Sequence, residues 1–247
     1  MRNYSQGNNA MIPKIIHYCW LSGDPYPELI EKCISLWKRI LPDYKIILWD
    51  TKRLDINSNL WLKQTYENKK YAFASDYVRF YALYNQGGIY LDSDVEVVKS
   101  FDDLLHRRYF IGEEITGDIE AAVMGAEKGL GWIKECLNHY ERRPFIKEDG
   151  QFDTTPVTLL IPKITKKHNL EVFGYDFFSA NNYQTGKIMR SGNTYCIHHL
   201  VGKWFKKGLK YKIKMNVHRF LYFFFGRTGH NRLTVIVRKL SKQSAFK

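Results

Sequence analysis

The 247-residue chain predicts an α/β fold, and three observations carry that prediction. An opening strand–helix–strand run is the pattern of a parallel α/β sheet. A long helix in the middle of the chain is stopped by a glycine pair. A short apolar strand then runs directly into Asp92-Ser93-Asp94, the strand-end position where open α/β sheets place their ligand sites.

Residues 14–20 (KIIHYCW) are short, apolar and aromatic, and read as a first strand leading into a Ser-Gly-Asp-Pro turn. Over residues 28–40, Leu29, Ile30, Cys33, Leu36, Trp37 and Ile40 recur at helical period until Pro42 stops the run. Residues 45–49 (KIILW) form a second strand. Residues 71–86 predict a helix ended by Gly87-Gly88, the first a left-handed cap, and 89–91 a strand whose extended course resumes at 95–98. Further strands are expected at 109–112, 121–126 and 195–200, with a helix at 132–141 and a separate segment at 156–164. No repeat and no Gly-, Ser- or Pro-rich linker divides the chain, and sequence alone does not order the strands.

Apolar residues at 45% and aromatics at 15% describe a folding chain rather than a disordered tail. The net charge of +13 is segregated. From residue 177 onward there are fifteen Lys and Arg and no acid, so residues 1–176 hold the other 23 basic side chains against all 25 acidic ones. Such segregation asks for a polyanionic neighbour: a diphosphate at short range, an anionic membrane or nucleic acid at longer range. Cys19, Cys33, Cys136 and Cys196 are widely spaced and form no C-x-x-C pair, which argues against a disulfide framework or zinc knuckle. Residues 1–10 are polar and show no secretory signal, so a cytoplasmic location is expected. The apolar run 220–225 is far short of the ~20 residues that span a bilayer.

Asp92 and Asp94 put two hard oxygens within reach of one Mg²⁺ or Mn²⁺, which usually keeps substrate phosphates in its shell. With thirteen aspartates, about 0.7 such pairs are expected by chance. The glycine turn and buried strand before the pair give it meaning, because neighbouring carboxylates need a compensating cation. In the preceding helix Asp76 and Arg79 share a face at i, i+3, with Ser75 beside them. They make either a salt bridge or contacts to phosphate and sugar oxygens. His198 and His199 end the last strand and precede Lys203 and Trp204; imidazole suits Mn²⁺, and lysine suits phosphate. Trp20 ends the first strand, where it is either core or a stacking platform for a base.

The blocks IPKIIHYCW, ASDYVRFYALYNQGGIYLDSDV and IHHLVGKW occur in an order that resembles glycosyltransferase family 32. That family holds bacterial capsular and lipopolysaccharide sugar transferases and fungal mannosyltransferases, with clostridial toxin glucosylating domains as distant relatives. The middle block is the specific one. The resemblance covers roughly residues 12–204 and implies a retaining GT-A fold, a Rossmann-like mixed central sheet flanked by helices. By position it implies that Trp20 stacks on the base, with His17 from the same block in the donor site. It further implies that Ser75, Asp76 and Arg79 hold sugar and diphosphate, and that Asp92 meets hydroxyls. On the same resemblance Asp94 would bind Mn²⁺ or Mg²⁺ with Asp92 close by, His199 completing the set and His198 the fallback. Asp92, Asp94 and Arg79 would form the catalytic group, and Lys203 and Trp204 would line the donor site. Lys203-Trp204 stands where the family often has Ser-Trp, and Thr155-Pro156 where it often has Gly-Pro.

The expected reaction moves a hexose from a UDP-sugar of the galactose or glucose type to a glycan or lipid-linked acceptor in polysaccharide synthesis. The cation, Arg79 and Lys203 would neutralise the leaving diphosphate. Front-side substitution is the expected route, since Asp118 and Glu120, in a loop, are the nearest approach to a nucleophile. Two rivals stay open: a Mg²⁺-dependent phosphohydrolase or nucleotidyltransferase, and a basic nucleic-acid-binding protein, although nucleic acid is not the expected partner. Residues 1–204 are read as the catalytic domain and 205–247 as a basic, amphipathic, helical extension packed on it. Phe220, Leu221, Phe223, Phe224 and Phe225 between Arg219 and Arg227 suit a peripheral helix on the inner face of the cytoplasmic membrane.

Overall fold

The computed structural model describes residues 12–182 and 187–200. The described residues fall into two compact units, 12–180 with 190–199, and 181–182 with 187–189 and Leu200. Of the second unit the described part is a two-stranded antiparallel pair, Asn181–Asn182 with Lys187–Ile188. The expected extension at 205–247 lies outside the described residues, as do Lys203 and Trp204. Among the described residues no helix is long and apolar enough to cross a membrane.

The first unit runs β1 (Ile15–Cys19), α1 (Glu28–Ile40), β2 (Lys45–Trp49), α2 (Leu60–Glu67), α3 (Tyr71–Gln86), β3 (Gly88–Leu91), β4 (Val95–Val97), β5 (Tyr109–Glu113), β6 (Ile119–Ala126), α4 (Gly131–Asn138), α5 (Ile161–Lys167) and α6 (Tyr175–Phe178). The pair in the second unit takes β7 and β8, and β9 (Cys196–His198) returns to the first. The five-stranded sheet has the order β2-β1-β3-β6-β5. β1 is parallel to β2 and β3, while β6 is antiparallel to β3 and β5, so the sheet is mixed.

Period-two alternation divides the core between the two faces of this sheet. Ile16, Tyr18, Ile89, Leu91 and Val123 pack with Ile30, Cys33, Ile34 and Trp37 of α1 on one face. Tyr90, Ile111 and Met124 pack on the other with Trp61 of α2, Phe80 of α3, Trp132 of α4 and Ile161 of α5. Helix α2 escaped the sequence reading; its start is marked by Asn59, whose side chain accepts from the Leu62 N–H at 3.0 Å as an N-cap.

The strand expected to continue beyond the acid pair does not extend the sheet. After the Asp92–Asp94 turn, β4 leaves it and pairs antiparallel with β9, Val95 opposite His198 and Val97 opposite Cys196. The Trp37 indole N–H donates to the Val95 carbonyl at 2.8 Å and ties this ribbon to α1. That pairing brings the histidines to the aspartates.

The glycine pair is needed twice over. Gly87 ends α3 at φ 69°, ψ −171°, a region open essentially to glycine, and its N–H still bonds the Leu83 carbonyl at 2.9 Å. Gly88 has φ 103°, and a Cβ there would lie 2.7 Å from the Ile15 carbonyl oxygen and 3.0 Å from the Ile15 Cβ. Backbone of a paired central strand cannot step aside. Gly88→Ala is therefore expected to destabilise by about 2–3 kcal/mol in urea denaturation. Gly131→Ala, with open space around it at the start of α4, should change stability by less than about 1 kcal/mol.

Candidate sugar-nucleotide site at the β3 strand end

The Asp92–Asp94 turn is pinned to the sheet by its backbone. The Asp92 N–H donates to the Ala122 carbonyl of β6 at 2.8 Å, and the Val95 N–H closes the turn on the Asp92 carbonyl at 3.0 Å. The His199 N–H donates to the Asp94 carbonyl at 3.1 Å. The two carboxylates then face different partners. Asp92 Oδ1 lies 3.4 Å from Arg79 Nη2, and Asp94 Oδ1 lies 3.3 Å from His198 Nε2.

Arg79 comes from α3, which packs over Tyr90 and sets the guanidinium 4.9 Å from that ring. Its Nη2 meets Asp76 Oδ1 at 2.9 Å, its Nη1 donates to the Ala121 carbonyl at 2.6 Å, and only 5% of the side chain is exposed. The resemblance makes Arg79 a contact for donor sugar and diphosphate; in the structure it lies between Asp76 and Asp92, and the buried Asp76 in particular needs its counter-charge. Ser75, expected in the donor site, donates its hydroxyl to the Ala72 carbonyl at 2.7 Å and supports Arg79.

Burial raises the Asp76 carboxyl to about 7 in spite of Arg79, and the like charge of Asp92 adds to the rise. Asp92 is also raised, by burial first, against the pull of Arg79 and His198. At Arg79, burial opposes the charge, but Asp92, Tyr90 and Asp76 more than restore it.

His198 and His199 point to different acids. The His198 ring stands between Asp94 and Glu120, with Nδ1 in close contact with Glu120 Oε1. Burial works against its protonation, but Glu120 and Asp94 together hold it well above the ordinary imidazole range. His199 Nε2 instead meets Glu96 Oε2 at 3.0 Å, in a cluster with Arg190. His198, and not the expected His199, is therefore the ring that stands beside Asp94. Strand alternation makes His198, opposite Val95, the residue beside Asp94, and sends its neighbour to Glu96.

Glu120 was expected in a loop. It lies within β6, and the Ile119-Glu120-Ala121 alternation, with acid and apolar residues on successive positions, was the signal for a strand. His198 lowers its carboxyl in spite of burial.

His17, expected in the donor site, has both ring nitrogens engaged within the fold. Its side chain is fully buried in β1, with Nδ1 accepting from the Trp49 indole N–H at 3.1 Å. Because that indole can only donate, Nε2 carries the ring proton and donates to the Gly87 carbonyl at 2.8 Å. Burial lowers its pKa from 6.5 to about 4. A depressed imidazole stabilises the fold fully above pH 6.5, and the contribution is lost as pH falls from there to about 4. The stake is about 3 kcal/mol. His17→Gln, which can keep both hydrogen bonds, should flatten stability between pH 4 and 6.5 in urea titrations.

Trp20 is half-buried at the end of β1, its indole N–H on the Asp24 carbonyl at 2.8 Å and its ring edge-on to Tyr26. Its place at the strand end leaves it at the same C-terminal end of the sheet as the acid pair, since β1 and β3 are parallel neighbours.

The donor set suits a hard divalent cation: carboxylate oxygens and, once a cation has displaced the proton from Nε2, one imidazole nitrogen at Asp94 and His198. Among the described residues no three His, Cys, Asp or Glu side chains gather around one point, because Asp94 and Glu120 sit on opposite nitrogens of His198. A cation here would take the rest of its shell from phosphate and water.

The first unit thus carries a mixed sheet with a paired-acid turn at the end of its central strand, backed by an Asp–Arg pair from α3. Residues 27–111 match the family described as the glycosyltransferase sugar-binding region containing DXD motif, and that stretch includes Asp92-Ser93-Asp94. Among curated relatives, inositol phosphoceramide mannosyltransferase 3 of Schizosaccharomyces pombe is 33% identical over 144 residues, 56% of this chain and 39% of that protein. Mannosyl phosphorylinositol ceramide synthase SUR1 of Saccharomyces cerevisiae is 31% identical over 146 residues, 55% of this chain and 37% of its own. The chain thus spans under two fifths of the length of either relative. Among solved structures, the PaToxG glycosyltransferase aligns with 52% of this chain and 60% of its own at 20% identity, with a TM-score of 0.45.

Proposed function

We propose that this protein is a divalent-cation-dependent glycosyltransferase that moves a hexose from a nucleoside diphosphate sugar to a hydroxyl of a glycan or lipid-linked acceptor. The observation that carries the reading is the Asp92–Asp94 turn, held on one side by Arg79 and on the other by His198, inside the matched sugar-binding region. Asp94 and His198 would hold the cation, which supplies Lewis-acid neutralisation of the departing diphosphate. Asp92, with a quarter of its side chain exposed, would accept hydrogen bonds from donor hydroxyls, while Arg79 and Asp76 fix where that carboxylate points. Trp20 would stack on the base. Glu120 is engaged by His198, which leaves front-side substitution with retention as the preferred course.

The expectation of a UDP-glucose or UDP-galactose donor in capsule synthesis receives no support from the relatives. One is named an inositol phosphoceramide mannosyltransferase and the other a mannosyl phosphorylinositol ceramide synthase. We therefore favour mannose over glucose or galactose, and an acceptor bearing a polyol phosphate headgroup over a capsular glycan. A thermal-shift screen of GDP-mannose, UDP-glucose and UDP-galactose with Mn²⁺ tests this. Stabilisation by GDP-mannose with Mn²⁺ is the expected result; a shift with the two UDP-sugars alone would overturn the mannosyl preference, and no shift with any would overturn the nucleotide-sugar site.

The acid-free stretch after residue 176 supports a peripheral place on the cytoplasmic face of an anionic membrane, where a lipid-linked acceptor resides. Co-sedimentation of the full chain should occur with vesicles containing phosphatidylserine and fade with neutral vesicles or high salt; equal binding to both would contradict it.

A further inference from the structure

Glu120 is a buried acid that the proposed transfer does not itself use. It lies in β6, hydrogen-bonded to β3 with Val123 opposite Leu91, so the register carries it alongside the Asp92–Asp94 turn. Only 13% of its side chain is exposed, and burying a carboxylate is costly unless it has a partner. That partner is His198 Nδ1. His198 arrives from a separate ribbon, through the antiparallel pairing of β9 with β4. The ring is 9% exposed and presents its other nitrogen, Nε2, 3.3 Å from Asp94 Oδ1.

We propose that Glu120 is a positioning residue: by holding Nδ1–H of His198 it fixes the ring so that Nε2 and Asp94 receive the divalent cation together. The inference rests on the nucleotide-sugar reading above. A carboxylate behind a histidine sets the tautomer, orients the ring and strengthens the ligating nitrogen, and its loss typically weakens metal binding about 10–100-fold. Nothing comparable supports His199, whose Nε2 is taken by Glu96 in a surface cluster with Arg190 and Lys32. Glu96 is thus the natural control, an acid paired to the neighbouring histidine but turned away from Asp94.

The test is Mn²⁺ affinity of the full chain by electron paramagnetic resonance titration in the presence of GDP or UDP, with thermal melts run in parallel. Glu120→Gln should weaken Mn²⁺ about 10-fold and Glu120→Ala about 100-fold, while Glu96→Gln binds as the unaltered protein does. Should Glu120→Ala fail to fold, nitrogen-15 imidazole spectra of the unaltered protein with Mg²⁺ and GDP read the same point. The proton should sit on Nδ1 of His198. Wild-type affinity in folded Glu120→Gln and Glu120→Ala, or a proton on Nε2 in the loaded protein, would overturn the positioning role alone. Failure of the unaltered protein to bind Mn²⁺ with either diphosphate would overturn the nucleotide-sugar reading, and the positioning role with it.

Discussion

Asp94→Asn should lower sugar transfer by about 10²–10³-fold, the usual cost of removing one electrostatic contact to a leaving group, with the fold intact. The backbone of the turn does not depend on the carboxylate. It is held by Asp92 N–H on Ala122, Val95 N–H on Asp92 and His199 N–H on the Asp94 carbonyl, all of which survive the change. The amide keeps an oxygen for His198 at similar reach, so what disappears is the negative charge that would draw a cation to the diphosphate. The loss should appear in the rate at saturating donor and deepen at low Mn²⁺. A folded Asp94→Asn protein with more than a tenth of the original rate would refute the role.

Arg79→Met should destabilise by about 3–5 kcal/mol, because it strands the buried Asp76 and the partly buried Asp92 rather than deleting one surface ion pair. Arg79 meets Asp76 at 2.9 Å and Asp92 at 3.4 Å, and its Nη1 satisfies the Ala121 carbonyl at the edge of the same site. The deficit should depend on pH with a definite sign. Asp76 is already raised to about 7, so its neutral form favours the fold; that stability is present below its unfolded value of 3.8 and is lost as pH rises through 7. Without Arg79 the carboxyl rises further, and the gap to the unaltered protein should widen from pH 5 to pH 8. Urea denaturation at both values reads it. An equal deficit at the two would show that Asp76 is ionised independently of Arg79.

Much of this site was legible because its signals are local. The periodicity of α1 and the run of α3 into Gly87-Gly88 gave both helices residue for residue, and the apolar run before Asp92 placed the acids at a strand end. What was not legible depends on pairings across a hundred residues. No local pattern says that β4 leaves the sheet for β9, and that register alone decides that His198 faces Asp94 while His199 faces Glu96. Arg79 has the sequence signature of a surface i, i+3 pair, and only the packing of α3 over Tyr90 and β6 turns it into a buried counter-charge. His17 likewise stands in a block that resembles a donor site, and nothing local shows that the neighbouring strand supplies Trp49 and the glycine turn a carbonyl to engage both its ring nitrogens. Glu120 was in view as a loop acid, and its role became readable only when β6 and β9 met.

The most direct test of the central claim is the identity of the product formed from a labelled nucleotide sugar. With GDP-mannose, Mn²⁺ and an inositol-phosphate-headgroup lipid, the account predicts release of intact nucleoside diphosphate with the sugar on the acceptor or on water, stopped by a chelator and by Asp94→Asn. Release of inorganic phosphate or nucleoside monophosphate, with the sugar still phosphorylated, would contradict it and identify a phosphohydrolase instead.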